Sequence, residues 1–154
     1  GTPQTEISNP CEFCKLLWKS ENGRTTCLNN WREFTRQASE GKNQLTCHAG
    51  LNYWVHPVQE NAKTVGWFIS GGCLQQPVES TQAHQRLVEL SRQFEIPLEA
   101  LQNAFKKIPL IPAEMRARVN SWPAVAARAV EGILRERTSF IERLQQIANL
   151  TQIS

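Results

Sequence analysis

The spacing of apolar residues changes character once along this chain. Before Gly72 the apolar positions fall in short clusters. From Pro77 onward they recur every three or four residues, which predicts helices. Phe13 to Lys19 has a short helical pattern, Asn29-Asn30 is placed to cap a second helix of about 30–40, and Gly41 is placed to end it. Leu45–Ala49, Leu51–Val58 and Val65–Ser70 are runs rich in β-branched and aromatic residues, and they predict strands. The last two form an antiparallel hairpin across the polar stretch from Gln59 to Lys63, and Gly71-Gly72 ends the final strand. So small a sheet needs completion by more chain or by another molecule. Beyond it, Pro97, Pro109, Pro112 and Pro123 stand where helices could begin, predicting helices near 80–95, 97–106, 112–121 and 123–150.

The last of these carries a broad apolar stripe of Val130, Ile133, Leu134, Phe140, Ile141, Leu144, Ile147 and Ala148. Either the stripe packs on the domain's own sheet and helices, or its distal part pairs with the same helix of a second subunit. The second reading uses a near-heptad seam at 130, 134, 137, 141, 144 and 148, with Arg137 as its polar interruption.

Composition narrows the function. The 154 residues are 40% hydrophobic and 20% charged, which suits one globular domain. All fourteen acidic residues are glutamates. With no aspartate, a Ser-His-Asp triad, an Asp-led calcium loop and Asp-held magnesium all lack their usual group. No enzyme is expected. The net charge of +3 is mild and dispersed, unlike a nucleic-acid-binding surface. Apolar runs are a few residues long, far short of the roughly 20 that span a bilayer, and no signal peptide is evident. The expected location is the cytoplasm, where five cysteines serve as thiols or metal ligands rather than as a disulfide framework.

The cysteines run Cys11-x2-Cys14-x12-Cys27-x19-Cys47-His48, with Cys73 further on. A pair two residues apart can reach one metal centre, but there is no second close pair as in a zinc ribbon, and the spacing is not that of the usual ferredoxins. Three readings stay open: buried thiols acting as small hydrophobes, metal or iron–sulfur ligation, and a redox pair at Cys11 and Cys14. His48 is either a ligand or a hydrogen-bond partner. His56 is structural or lines a pocket, and His84 is solvated. Trp54 and Trp67, with Tyr53 and Phe68 beside them, either build a core or line an apolar pocket with polar handles.

Five segments stand out in order and spacing: Phe13-Cys14-Lys15-Leu16-Leu17, Arg24-Thr25-Thr26-Cys27, Cys47-His48-Ala49-Gly50-Leu51, His56-Pro57-Val58 and Val65-Gly66-Trp67-Phe68-Ile69-Ser70-Gly71-Gly72. Together they resemble the PocR sensory domain, a PAS-like ligand-binding module of bacterial regulators. The resemblance implies an α+β fold: a PAS-like antiparallel sheet with flanking helices and a long C-terminal signalling helix. It implies a sensory domain over 1–122 and a connecting helix over 123–154. Cys14, Cys27 and Cys47 match the family's recurring cysteines, whereas Cys11 lies in a variable stretch and Cys73 is a bystander. Family members carry a helix and a strand before a Gly-x-Pro turn. Gly1-Thr2-Pro3 matches that turn, so the earlier part is read as absent.

The expectation is a cytoplasmic sensor that responds to a small-molecule ligand or redox signal and relays its state through the last helix to an output module outside this chain. Cys11, Cys14, Cys27 and Cys47 are the candidate ligands of Zn2+ or an iron–sulfur cluster, and His48, Trp54, His56 and Trp67 the candidate pocket. Homodimerisation through the last helix is expected, with no direct nucleic-acid or membrane binding. The alternative is a thiol-based redox switch or oxidoreductase using Cys11 and Cys14.

Overall fold

The computed structural model of the chain describes residues 10–151, so Gly1-Thr2-Pro3 lies outside the described residues. The fold is α+β: helices flank a three-stranded antiparallel sheet, and a long helix ends the described chain. Helix α1 spans Glu12–Lys19, with Glu12 in its first turn and Lys19 in its last, the arrangement the helix dipole favours. Phe13 and Leu17, four residues apart, share the buried face.

Helix α2 spans Glu21–Ser39, nine residues earlier at its start than the Asn29-Asn30 cap predicts. Ser20 makes the difference. Its backbone ends α1 and its Oγ accepts from the Gly23 N–H at 3.4 Å, capping α2 at once. Gly23 is required in this sharp junction, because a Cβ there would overlap the Leu17 carbonyl oxygen. The two helices close on each other with Trp18 stacked on Trp31, centroids 5.3 Å apart.

The sheet has the order β1 (Gln44–Thr46), β2 (Asn52–Glu60), β3 (Lys63–Cys73). The β2–β3 hairpin is tighter than the polar stretch suggested: Glu60 pairs with Lys63, and Asn61 and Ala62 turn the chain with φ of 50° and 61°. Gly71-Gly72 does not end β3. These glycines sit at a register shift against Asn52 and Tyr53, with φ of 148° and 83°, and the strand continues to Cys73. Leu74 then forms a single parallel bridge with Leu110, through Leu74 N–H to the Pro109 carbonyl and Ile111 N–H to the Leu74 carbonyl. More of the same chain therefore extends the sheet edge.

Helices α3 (Ser80–Phe94) and α4 (Leu98–Phe105) match the predicted positions. Ala83, Leu87, Leu90 and Phe94 form the buried stripe of α3. Beyond them the sequence reading is corrected. A single 3-10 turn at Ala113–Met115 leads into one helix, α5 (Arg116–Thr151), in place of two helices broken before Pro123. Proline removes one backbone donor. Contacts on both sides hold the helix through it: Trp54 Nε1 donates to Asn120 Oδ1 at 2.8 Å, and Ala127 is fully buried. Further along, Glu131 Oε1 accepts from the Gln59 N–H at 2.8 Å, and Thr138 Oγ1 donates to Glu60 Oε1 at 2.8 Å. Helix α5 thus lies along β2.

The core has two parts. One gathers Phe13, Leu17, Leu51, Leu87, Phe94 and Leu101 from α1, the turn before β2, α3 and α4. The other gathers Phe34, Ala38, Leu45 and Val55 from α2 and the sheet. Cys47 and Tyr53 pack against both. Among the described residues no helix is long and apolar enough to cross a membrane.

Candidate functional site

The junction of the two cores is built by the segment Cys47-His48-Ala49-Gly50-Leu51. Cys47 N–H donates to the Leu51 carbonyl at 2.9 Å and Gly50 N–H to the Cys47 carbonyl at 2.8 Å, so the segment closes into a tight turn. Gly50 has φ of 85°, so the turn needs glycine for its backbone, and the Arg86 side chain packs over it, with Nη1 2.7 Å from where a Cβ would sit. This turn resolves the strand problem for Cys47 and His48, because neither is held to strand alternation. His48 N–H donates to Asn30 Oδ1 at 2.6 Å, anchoring the turn to α2. The His48 ring stands edge-on to Phe94 at 5.5 Å, and its Nε2 lies 3.4 Å from Cys27 Sγ.

Next to Tyr53 stands α1. Cys11 is its N-cap: the Cys11 Sγ accepts from the Cys14 N–H at 3.4 Å. Cys14, one turn in, places its Sγ 3.7 Å from Tyr53 Oη. The β3 bulge lies beside both groups. A Cβ on Gly72 would sit 3.4 Å from Tyr53 Oη and 3.6 Å from Cys14 Sγ, so the glycine leaves open the space beside both groups.

Electrostatics divide these groups into one acidic thiol and several neutral ones. The Cys14 thiol donates to Cys11 and, with the backbone N–H groups at the start of α1, lowers the Cys11 pKa to about 6. Cys14 moves the opposite way, because bonding to Cys11 and burial both favour its protonated form. Burial raises Cys27 to about 11 and also raises Cys47. Burial, and then Arg86, lowers the His48 pKa, so the imidazole is neutral at pH 7. The Cys27–His48 contact therefore joins two neutral groups, and the imidazole tautomer sets which of them donates. Burial raises Tyr53 as well, with the nearby thiols adding to the shift. Its phenol is therefore a neutral donor whose partner, a thiol at 3.7 Å, is a weak acceptor.

The candidate metal ligands can be tested against this arrangement. Thiols with an imidazole are the donor set that zinc or an iron–sulfur cluster takes. Among the described residues, however, no three histidine, cysteine or glutamate side chains stand together as a group that could hold a metal ion. Cys11 pairs with Cys14, which reaches Tyr53, and Cys27 pairs with His48, while Cys47 lies near enough to act on both Cys14 and Cys27.

The candidate pocket residues do not share one site. Trp54 faces α5 through its bond to Asn120, and His56, two residues on, lies on the same face of β2 with its Nδ1 donating to the Pro57 carbonyl at 2.9 Å. Trp67 pairs with Pro57 and packs with Phe34 and Val55 on the other face. Only His48 joins the cysteines. Tyr53, which the sequence pattern sets beside Trp54 as one more strand aromatic, sits at the centre of the cluster. Asn30 and Gly72, expected to cap a helix and to end a strand, instead shape the cluster, Asn30 by holding the His48 N–H and Gly72 by its place beside Tyr53 and Cys14. Burial, and then Cys11, push the Cys73 thiol up to about 11.

Comparison with curated proteins and with solved structures gave no match. A family model described as the sensory domain found in PocR matches residues 1–129 of the 154. Its span takes in both halves of the core, the Cys47–Leu51 turn, Tyr53, the Gly71-Gly72 bulge and the first part of α5. This chain belongs to the PocR sensory domain family.

Proposed function

We propose that this sensory domain binds a small neutral polar molecule at the Cys14–Tyr53–Cys47 junction and transmits occupancy through β2 to α5. The observation that carries the reading is the position of Cys47 and Tyr53 between the two halves of the core. A ligand seated there acts on both halves at once. Its binding biases their arrangement only by the difference in its affinity for two arrangements, and about 1.4 kcal/mol gives a tenfold shift. Tyr53 offers a half-buried phenol whose present partner is weak, so exchange for a ligand oxygen is favourable. An uncharged ligand suits the groups that line the junction, because the Cys14, Cys27 and Cys47 thiols, the Tyr53 phenol and the His48 imidazole are neutral; the charged neighbours, Arg86 beside Gly50 and the Cys11 thiol, stand at its margins. Tyr53 is next to Trp54 on β2, and Trp54 is bonded to Asn120 of α5. The setting proposed is the cytoplasm, with an output module of a bacterial regulator receiving the signal from α5.

A second reading rests on the acidic Cys11 thiol beside Cys14, which suits a redox switch. A third, in which Cys11, Cys14, Cys27 and Cys47 gather on zinc or an iron–sulfur cluster, requires the two thiol pairs to come together. One preparation separates the three. Anaerobically purified protein is analysed for metal and visible absorption, titrated for thiols before and after oxidant, and melted against a panel of neutral alcohols, amides and ketones. Colourless, metal-free protein that one panel compound stabilises saturably, in wild type and not in Tyr53→Phe, supports the small-molecule reading. Stoichiometric metal, or paired loss of the Cys11 and Cys14 thiols with no panel response, overturns it.

A further inference from the structure

Helix α5 presents two different faces. Asn120, Ala127, Glu131 and Thr138 meet the sheet. About 120° around the helix, at 100° per residue, lies a second stripe of Val130, Ile133, Phe140, Leu144 and Ile147. It is bare: Ile133 is 66% exposed, Phe140 61% and Ile147 58%. The stripe differs from the seam read from the sequence, because Leu134 turns toward the sheet side and Ile133, Phe140 and Ile147 replace 134, 141 and 148. With Arg137, the exposed positions fall at alternating spacings of three and four from 130 to 147, the repeat of a two-helix seam. Isolated large side chains are ordinary on a surface, whereas a continuous apolar line on a helix marks a contact.

The charges beside this stripe choose its occupant. If a second copy lay parallel, Arg137 would meet the partner's Arg137 in the seam, and Glu136 would face the partner's Ile141. Neither contact is favourable. If it lay antiparallel, Val130 would meet the partner's Ile147, Ile133 the partner's Leu144, and Arg137 the face of the partner's Phe140, where a guanidinium is attracted to the ring. In the same register Glu136 stands beside the partner's Arg143, and Leu134 beside the partner's Ile141. The two-fold axis repeats each pair, so both charged residues on the flank are matched twice. Glu136, Phe140 and Arg143 also line one open groove along α5, so the three lie side by side.

We propose that two copies of this chain associate through their α5 helices in antiparallel register, the Val130–Ile147 stretch of one against the same stretch of the other. The contact is about 27 Å long at 1.5 Å per residue, so the association is weak and depends on concentration. It does not depend on the sensing cluster.

Sedimentation equilibrium on the full chain tests the proposal. Wild type is expected to pass from monomer to dimer as concentration rises. Phe140→Glu is expected to remain monomeric, and because Phe140 is exposed in the single chain, its circular dichroism stays that of wild type. Glu136→Arg and Arg143→Glu are each expected to weaken association about tenfold, and the double exchange to restore it, since the antiparallel register then sets opposite charges against each other again with their signs reversed. A wild type that is monomeric at millimolar concentration overturns the proposal. So does a dimer indifferent to both single exchanges, which would be a parallel pair or a contact elsewhere. Should Phe140→Glu lose its fold, the exchange series decides alone.

Discussion

Cys14 Sγ stands 3.7 Å from Tyr53 Oη, joining the first turn of α1 to the central strand at the boundary between the two halves of the core. A thiol is a poor partner for a half-buried phenol, so the contact contributes little to stability and leaves the hydroxyl free to exchange. Tyr53→Phe is accordingly expected to change unfolding free energy by no more than about 1 kcal/mol while abolishing ligand stabilisation. Urea unfolding followed with and without an active panel compound checks both halves of that statement.

Cys11 differs from the other thiols in sign. Its folded pKa of about 6 lies below the ordinary thiol value, so the thiolate is favoured by the fold. That contribution is present above the unfolded thiol pKa and is lost as pH falls through about 6. Cys27 and Cys73, raised to about 11, act oppositely: their contribution is present below the unfolded pKa and is lost as pH climbs toward 11. Alkylation at pH 7, read by peptide mass spectrometry, is expected to label Cys11 first and Cys14, Cys27, Cys47 and Cys73 far more slowly. Equal labelling of Cys11 and Cys14 would contradict the assignment.

The bulge at Gly72 keeps space open beside Tyr53 and Cys14. Gly72→Ala places a Cβ 3.4 Å from the phenol oxygen on a backbone with φ of 83°. The expected loss is about 1–2 kcal/mol from the left-handed backbone, together with loss of ligand response. Thermal unfolding and the compound panel report the two effects separately.

The hairpin turn offers a change in the opposite direction. Ala62 adopts φ of 61° in a turn that favours glycine at this place. Ala62→Gly is expected to stabilise the domain by about 0.5–1 kcal/mol, after the greater entropy of unfolded glycine is subtracted from the relieved backbone strain. A lower urea midpoint would show that this turn is not strained.

Much of this fold was legible in sequence because its signals were local. The stripe from Ala83 to Phe94 is complete within α3, and the two strands of the hairpin were evident from their composition. What escaped depended on competition or on pairing. Ser20 outranked Asn29-Asn30 as a cap because Gly23 allows α2 to begin immediately after α1. Pro123 was passed over as a breaker because Trp54 and the Ala127 pocket hold the helix on each side, a tertiary effect no local pattern contains. Trp67 is on the face away from Trp54 because of one bulge: the two-residue turn alone would set Trp67 opposite His56, and the register shift at Val58/Gln59 sets it opposite Pro57. The cysteines were found by residue type. Their pairing, Cys11 with Cys14 and Cys27 with His48, follows from the closed Cys47–Leu51 turn and the N-cap position of Cys11.

The central claim is that events at Tyr53 reach α5 through β2. Hydrogen exchange of the full chain, compared with and without a panel compound that stabilises it, tests this most directly. The account predicts slowed exchange both at the Cys47–Leu51 turn and along α5 from Asn120 to Thr138. In Asn120→Ala, which leaves the Trp54 indole without its partner, the turn should still respond and α5 should not. Protection confined to the turn in wild type, or undiminished protection of α5 in Asn120→Ala, would contradict it.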